Sequence, residues 1–459
     1  MTKSKFGALA GLALATLLAS LGTSIANVAL PALGEAFAAP FQRVQWVVIA
    51  YLLTITALIA GVGRLGDLVG RRRLLLIGLA LFTLASALAA LAPGLGVLIA
   101  ARALQGFGAA FLMALPLALV GDMVPKARIG TAMGTMGSLS AIGTALGPSL
   151  GGVLVAAFGA QAVFAVMVPA GLLAGGLLFR FLPEDGPGRG RLRDFDLAGC
   201  LVLAAALGAY ALAMTLGRGD FGALNLGLLL AAGLLLALLL RLEAGRAIPL
   251  IAPGLLADPA LRAGLGASLM VAAVLMTTLV VGPFYLVRGL GLDAATAGLA
   301  MSAGPLVSAL VGVPAGRLVD RLGSSRAMTA GLAGIAIGTL LLAVMPLDLG
   351  LAGYVGPLMV TTASYATFQA ANNTGVMKGA AADRRGLVSG LLNLARNLGL
   401  ITGATAMGAV FAAAAGLDGA AGGDMAFGFR VTFLVAFGLI LLALAVTRKG
   451  ISPSPATAP

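Results

Sequence analysis

The residues that could do chemistry in this chain are polar side chains set within long apolar runs. Two of them are arginines, Arg102 and Arg396, and an arginine inside such a run must face water or a partner, because its burial is otherwise costly. The chain has no histidine and one cysteine, Cys200, so a disulfide framework and a cysteine metal site are excluded. No Asp or Glu lies near the centre of an apolar run. We therefore expect no enzyme activity, no cofactor and no metal.

Amides, hydroxyls and one of the arginines recur at helical spacing, so they share faces of the predicted helices. A hydrated central pathway explains these stripes better than packing does, although small hydroxyls such as those of Thr16 and Ser20 also join helices. A structural role is the competing interpretation for Arg396, and its position alone slightly favours that role. The predicted cavity residues are Asn27, Gln105, Tyr365, Gln369, Asn372, Asn393, Arg396 and Asn397.

The elements that carry these residues are runs of about 20 apolar residues, each long enough to cross a hydrocarbon core roughly 30 Å thick. Of the 459 residues, 60% are hydrophobic and only 10% are charged, whereas an ordinary globular chain is about a quarter charged. In lipid the backbone must be satisfied within a helix or a closed barrel, and the alternation typical of a barrel is absent. The composition therefore predicts an all-α polytopic membrane protein in a lipid bilayer.

The net charge of +13 could indicate a nucleic-acid partner, so the distribution of the basic residues decides its meaning. They fall almost wholly into alternate loops, and the opposite loops hold only Arg43, Arg218, Arg288 and Arg430. By the positive-inside rule this pattern places both termini in the cytoplasm. The charge therefore reflects topology, and we expect no nucleic-acid partner.

Loop charges and turn residues divide the chain into fourteen predicted spans. The sequence GRLGDLVGRRR at 63–73 returns as GRLVDRLGSSR at 316–326, and a series of glycines at 130–152 returns at 386–408. The repeated loop is cytoplasmic both times, which indicates two parallel repeats. The predicted domains are an N-terminal six-helix bundle at 1–182, a linker with two additional spans at 183–262, and a C-terminal six-helix bundle with a short tail at 263–459.

The repeated loop closely resembles the signature loop of the major facilitator superfamily. LIAARALQGFGAAF at 98–111 is similar to the fourth-helix motif of its drug-exporting branch, and GTALGPSLGGVL at 143–154 is similar to the fifth-helix motif of exporters. Together with NVALP at 27–31, WVVIAYLL at 46–53 and SGLLNLARNLG at 389–399, they resemble the fourteen-helix drug:proton antiporter family. The resemblance covers nearly the whole chain and implies the major facilitator fold with two helices inserted between its bundles.

This resemblance implies a proton-coupled exporter of small molecules that works by alternating access, as a monomer in the bacterial inner membrane. Arg102 would take part in proton coupling; the alternative is a structural hydrogen bond to backbone carbonyls. The loop motif, with a tight turn at its central glycine, would form a conformational switch of Gly63, Asp67, Gly70, Arg71, Arg72 and Asp320. The fifth-helix motif would pack against the other half through Gly143, Gly147, Pro148 and Gly151.

One departure from the family lies in the first span, where members that export drug cations usually carry an Asp. Gly22 occupies that position here. A cavity with arginines and amides but no central carboxylate has no evident counter-charge for a lipophilic cation, so neutral, zwitterionic or anionic cargo is at least as compatible. The alternatives to drug export are an exporter or flippase of an endogenous metabolite or lipid, and a non-transporting sensor or scaffold on the same fold.

Overall fold

The computed structural model describes residues 3–123, 129–185, 196–216, 222–244, 257–379, 385–416 and 424–451, and every regular element in these ranges is a helix. We number the longer helices in chain order. The first seven are α1 (Lys3–Ala36), α2 (Trp46–Val69), α3 (Arg71–Ala90), α4 (Leu95–Met123), α5 (Ile129–Phe158), α6 (Met167–Phe181) and α7 (Leu197–Thr215). The others are α8 (Ala223–Ala244), α9 (Pro259–Phe284), α10 (Ala294–Leu322), α11 (Ser324–Val344), α12 (Gly350–Gly379), α13 (Arg385–Thr402) and α14 (Met425–Ile451).

Two of these helices continue beyond their stated ends. A π-helical segment, Tyr285–Gly289, extends α9. Another, Gly403–Met407, joins α13 to a last short stretch at Gly408–Ala414. A short helix, Phe41–Val44, lies between α1 and α2.

Within the described residues, twelve helices are long and apolar enough to cross a membrane. The chain is therefore an all-helical membrane protein, but the predicted count of fourteen spans is not confirmed. Of the remaining two, α5 contributes a shorter apolar helix over Ile142–Phe158. The other is α12, whose polar side chains, including Tyr365, Gln369 and Asn372, lower its mean hydropathy.

Gly70 and Gly323 connect the helix pairs of the repeated loop, and both have a positive φ, 111° and 80° respectively. Residues with a Cβ rarely adopt this region, so glycine lets α2 turn directly into α3 and α10 turn directly into α11. The two glycines occupy the same place in the repeated sequence. The repeat therefore extends to the backbone geometry, and the tight turn expected at Gly70 is present.

The helices pack as two groups with one helix pair beside them. In the N-terminal group, α1 packs on α5 and α6, while α4 packs on α2 and α3. In the C-terminal group, α12 packs on α10 and α11, while α9 packs on α13 and α14. The two groups meet where α5 crosses α10, where α1 contacts α9 and where α2 contacts α13.

The molecule has two distinct ends. The basic end is where α2 turns into α3 and α10 turns into α11, beside the arginines at 71–73 and 321. The opposite end holds the last turn of α1 with Glu35 and the end of α9 with Arg288. At the opposite end the two groups are in close contact, because the Phe41 ring packs edge-on against Phe284 and Phe411 with centroid distances of 4.8 and 5.6 Å.

The helix pair α7 and α8 lies between the two groups in sequence, and α7 touches both of them. The Trp46 indole at the start of α2 donates a hydrogen bond to Thr215 of α7 at 3.1 Å. On its other side, Tyr210 of α7 donates to Thr402 of α13 at 3.1 Å. The helix α7 therefore bridges the N-terminal and C-terminal groups.

Candidate functional site

Arg102 lies at the centre of a buried hydrogen-bond network in the N-terminal group. Its side chain is 0% exposed, and its Nε and Nη2 atoms donate to the carbonyl oxygens of Val47 and Gly22 at 2.8 and 3.0 Å. Its Nη1 donates to Gln105. The guanidinium carbon also lies 4.1 Å from the centroid of the Tyr51 ring, a cation–π contact. One side chain thus joins α1, α2 and α4.

Gly22 makes room for this arrangement. A Cβ at this position would lie 2.8 Å from the Tyr51 hydroxyl oxygen. That hydroxyl donates to the carbonyl oxygen of Ala19 at 2.8 Å. The Tyr51 hydroxyl therefore occupies the space into which a side chain at position 22 would extend.

Asn27 and Gln105, both predicted to line the cavity, are buried in this structure. Both are 0% exposed. The Gln105 amide donates to Ser86 at 2.7 Å, and the Asn27 amide donates to the carbonyl oxygens of Thr23 and Ser24 at 3.1 Å each. In this conformation both residues belong to the packed interior of the N-terminal group.

A cavity of about 220 Å³ lies among α9, α12 and α13 on their basic-end halves. It contains five of the predicted cavity residues, and Asn397 is not among its lining residues. Sequence reasoning missed Ser268 and Asn373, of which only the second had a signal, as a neighbour of a predicted residue. The polar and charged lining residues are Ser268, Tyr365, Gln369, Asn372, Asn373, Asn393 and Arg396.

The start of α3 in the repeated loop is held by a residue that sequence reasoning missed. The Asp185 carboxylate accepts from the backbone amides of Arg72 and Arg73 at 2.8 and 2.9 Å. Carboxylates at helix N-termini satisfy amides that have no partner in the helix. The Arg72 guanidinium donates in turn to the carbonyl oxygen of Phe179 at 2.9 Å. The loop is thus tied to the end of α6.

The other predicted switch residues are only partly defined. The side chain of Asp67 and the surroundings of Gly63 lie outside the part of the chain that the structure describes. Arg71 packs against Gly66, where a Cβ would lie 3.2 Å from its Cγ. Asp320 is exposed at the basic end, on α10. Gly70, Arg71 and Arg72 are therefore the switch residues whose contacts in the loop the structure defines.

The glycines of the fifth-helix motif mark two close helix crossings. Gly143, Gly147 and Gly151 face α1, since a Cβ at Gly143 would lie 2.7 Å from the carbonyl oxygen of Leu17. The other face contacts the C-terminal group, since a Cβ at Gly298 of α10 would lie 2.2 Å from the carbonyl oxygen of Pro148. The packing of this helix against the other half, predicted from its motif, is therefore present at Pro148, whereas the three glycines serve the contact within their own half.

Comparisons with known proteins agree with this architecture. Residues 12–404 match the family model of the Major Facilitator Superfamily. The multidrug resistance protein Stp of Mycobacterium tuberculosis is 32% identical over 404 residues, which are 86% of this chain and 73% of that protein. The riboflavin transporter RibZ of Clostridioides difficile is 29% identical over 412 residues, 89% of each chain.

Solved structures show the same fold at low identity. A bacterial homologue of the human lysosomal transporter Spinster, in an inward-facing and unoccupied conformation, superposes with a TM-score of 0.70 at 17% identity. That match covers 99% of this chain and 100% of the other. The partially occluded inward-open xylose transporter XylE of E. coli gives a TM-score of 0.65 at 14% identity, over 99% of each chain.

The family model spans most of the chain, and these relatives are named as a multidrug resistance protein and a riboflavin transporter. The chain belongs to the major facilitator superfamily and is a polytopic membrane transporter of small molecules, not an enzyme.

Proposed function

We propose that this transporter is a proton-coupled exporter of small amphipathic compounds in the bacterial inner membrane, with both termini and the basic end in the cytoplasm. The loop charges support the orientation through the positive-inside rule. The outward direction is supported by the fifth-helix motif and by relatives named as multidrug resistance protein Stp and multidrug efflux pump LfrA. It would act as a monomer.

The observation that carries this proposal is the difference between the two ends of the molecule. The opposite end is closed by contacts between the groups, while the cavity among α9, α12 and α13 lies toward the basic end. This arrangement fits a cytoplasm-facing state of an alternating-access cycle. In such a cycle the two groups rock against each other around a central site.

Arg102 is the proposed coupling residue. Arg102 forms hydrogen bonds with α1, α2 and its own helix α4. A change in this network would therefore alter the contacts of three helices of the N-terminal group. The same bonds also fit the structural alternative, in which Arg102 only joins carbonyls. The two roles differ in whether a charge-conserving substitution keeps coupling.

Proton flux in proteoliposomes tests the proposal. With an imposed pH gradient, we expect riboflavin, ethidium or 2-naphthoate to drive proton movement that a trapped pH-sensitive dye reports. Arg102→Ala should abolish this flux, Arg102→Lys should retain part of it, and Arg180→Ala, a control at an exposed position of α6, should leave it unchanged. A transport rate that does not depend on the pH gradient would contradict the proposal of proton coupling.

Export of an endogenous metabolite is the second candidate function. Two observations favour it. Gly22 stands where related drug exporters usually carry a carboxylate that binds a cation, and the chain is similar to a riboflavin transporter. Deletion of the gene separates the two functions. A growth defect or metabolite accumulation without increased drug sensitivity would support metabolite export, and increased drug sensitivity alone would support drug export.

A further inference from the structure

Arg396 carries the one formal charge among the side chains that line the cavity of α9, α12 and α13. Its side chain is exposed, and it forms no ion pair with any residue that the structure describes. A guanidinium presents a rigid fork of donors that matches a carboxylate in two parallel hydrogen bonds. An arginine without a counter-charge in a cavity is therefore suited to bind an anion from outside the protein.

The described acidic residues at this end of the C-terminal group do not neutralise Arg396. Asp258 lines an adjoining cavity that shares Asn372 with the first one. Its carboxylate accepts from the backbone amide of Ala260 at 2.9 Å and thereby caps the start of α9. Asp320 is exposed on α10 and is not among the lining residues of either cavity.

Asn372 gives a second, independent sign of a ligand. Its side chain is 2% exposed, it lines both cavities, and its Oδ1 atom has no hydrogen-bond partner among the described residues. A buried acceptor without a partner is destabilising, because the hydrogen bonds it made to water are not replaced. A ligand N–H or O–H group would satisfy it, so the site offers an anion-binding group on α13 and an acceptor on α12.

The remaining wall determines the size and shape of the ligand. Tyr365 and Phe368 contribute aromatic rings, and Met377 and Leu392 contribute apolar surface. The volume of about 220 Å³ is below the roughly 300–1,000 Å³ of pockets for drug-sized ligands. A flat compound of one or two rings fits this space better than a larger amphiphile.

We infer that this cavity recognises a small aromatic carboxylate, with Arg396 as the residue that binds its anionic group. The inference rests on the proposed function, because it names the class of compound that the transporter carries. The charge preference is then opposite to that of related exporters in which a carboxylate in the first span reads a cation.

Three probes with the same ring system test the inference. They are 2-naphthoate, 2-naphthamide and 2-naphthylmethylammonium, which share the naphthalene ring and carry an anionic, a neutral and a cationic substituent at the same position. Their binding to the full-length protein in lipid nanodiscs is measured by equilibrium dialysis, with empty nanodiscs as the blank. We expect 2-naphthoate to bind at least tenfold more tightly than the amide and the ammonium to bind most weakly.

Substitutions assign this preference to Arg396. Arg396→Gln should weaken 2-naphthoate binding at least tenfold and leave 2-naphthamide binding within twofold, while Arg396→Lys should keep part of the preference. Arg241→Gln is the matched control, because it removes the same charge from an exposed helical position on α8. Size-exclusion profiles that match the unsubstituted protein show that the variants are folded.

Each outcome decides the question. Equal or tighter binding of the amide or the ammonium overturns the inference, and so does a carboxylate preference that Arg396→Gln leaves intact. If none of the three probes binds, the inference is also overturned. A protein that binds 2-naphthoate through Arg396 but moves no compound across a bilayer would contradict the proposed function and leave this site standing.

Discussion

At the scale of single residues, the structure assigns Arg102 and Arg396 to different environments. Arg102 is completely buried among carbonyl oxygens and the Tyr51 ring, whereas Arg396 is exposed in a polar cavity without an ion pair among the described residues. The sequence identifies both as arginines within apolar runs, but it does not show which neighbour covers each of them. The sequence slightly favoured a structural role for Arg396. The environments indicate that such a role fits the buried Arg102 better than the exposed Arg396.

Gly22→Ala tests the packing around Arg102. The new methyl group would lie 2.8 Å from the Tyr51 hydroxyl oxygen, so Tyr51 must move and its hydrogen bond to Ala19 must weaken. We expect a loss of about 1–3 kcal/mol in stability, as for overpacked interiors, measured as a lower unfolding temperature in detergent. Gly176→Ala is the control, because no atom lies within 4 Å of its Cβ position. A Gly22→Ala protein as stable as this control would show that the site has spare room.

The helical spacing of polar residues in the sequence coincides with a cavity wall on α12. Tyr365, Gln369 and Asn372 share a helix face and line one cavity. Gln105, also predicted to line the cavity, is instead covered by Ser86 and Met167, which come from two other helices. A periodic pattern shows which residues share a face, but not which helix covers that face.

At the scale of helices, the crossing of α5 and α10 brings the two halves closest together. Backbone meets backbone there, since a Cβ at Gly152 would lie 2.4 Å from the carbonyl oxygen of Ala294. Small residues permit such close approach of helices in membranes. The motif in α5 was visible in the sequence, whereas its partner Gly298 lies in an apolar run that carries no comparable motif. That half of the contact could not be predicted.

Gly298→Ala should hinder closure of the opposite end. The added methyl group has no space against Pro148 and Gly152, so α5 and α10 must separate. In a Cys200→Ser background, a cysteine at the buried position Gln45 reports opening through maleimide labelling. We expect labelling to become several-fold faster with Gly298→Ala and to stay unchanged with Gly312→Ala, whose Cβ position on the same helix is open. Equal rates in the two variants would count against a closing role for this crossing.

At the scale of the whole molecule, the sequence repeat predicts two related halves, but it cannot predict which end is closed. Both halves carry the same loop and the same kind of turn, so the repeat is compatible with either conformation. The choice depends on contacts between the halves, which join residues far apart in sequence such as Phe41 and Phe284. The bridging position of α7 likewise had no signal in its apolar sequence.

Packing, more than charge, should hold the opposite end closed. The Arg288–Glu35 pair has an N–O distance of 3.5 Å with side chains 37% and 67% exposed, and such surface pairs contribute only about 0–1 kcal/mol. Phe41 is 6% exposed and contacts two rings of the other group. We therefore expect Glu35→Gln to change the distance between the groups little and Phe41→Ala to increase it. Spin labels at the exposed positions Leu91 and Leu349 measure this distance. An effect of Glu35→Gln larger than that of Phe41→Ala would contradict the expectation.

The most direct test of alternating access is to measure the distances across both ends of the same protein in nanodiscs. One pair of labels, at Leu91 and Leu349, spans the opposite end, and a second pair, at Phe6 and Leu322, spans the basic end. Changing the pH or adding a transported compound should shift the distances across one end to longer values and those across the other end to shorter values. If both distances stay the same, or if both become longer, the result would contradict the account of a transporter whose halves open one end at a time.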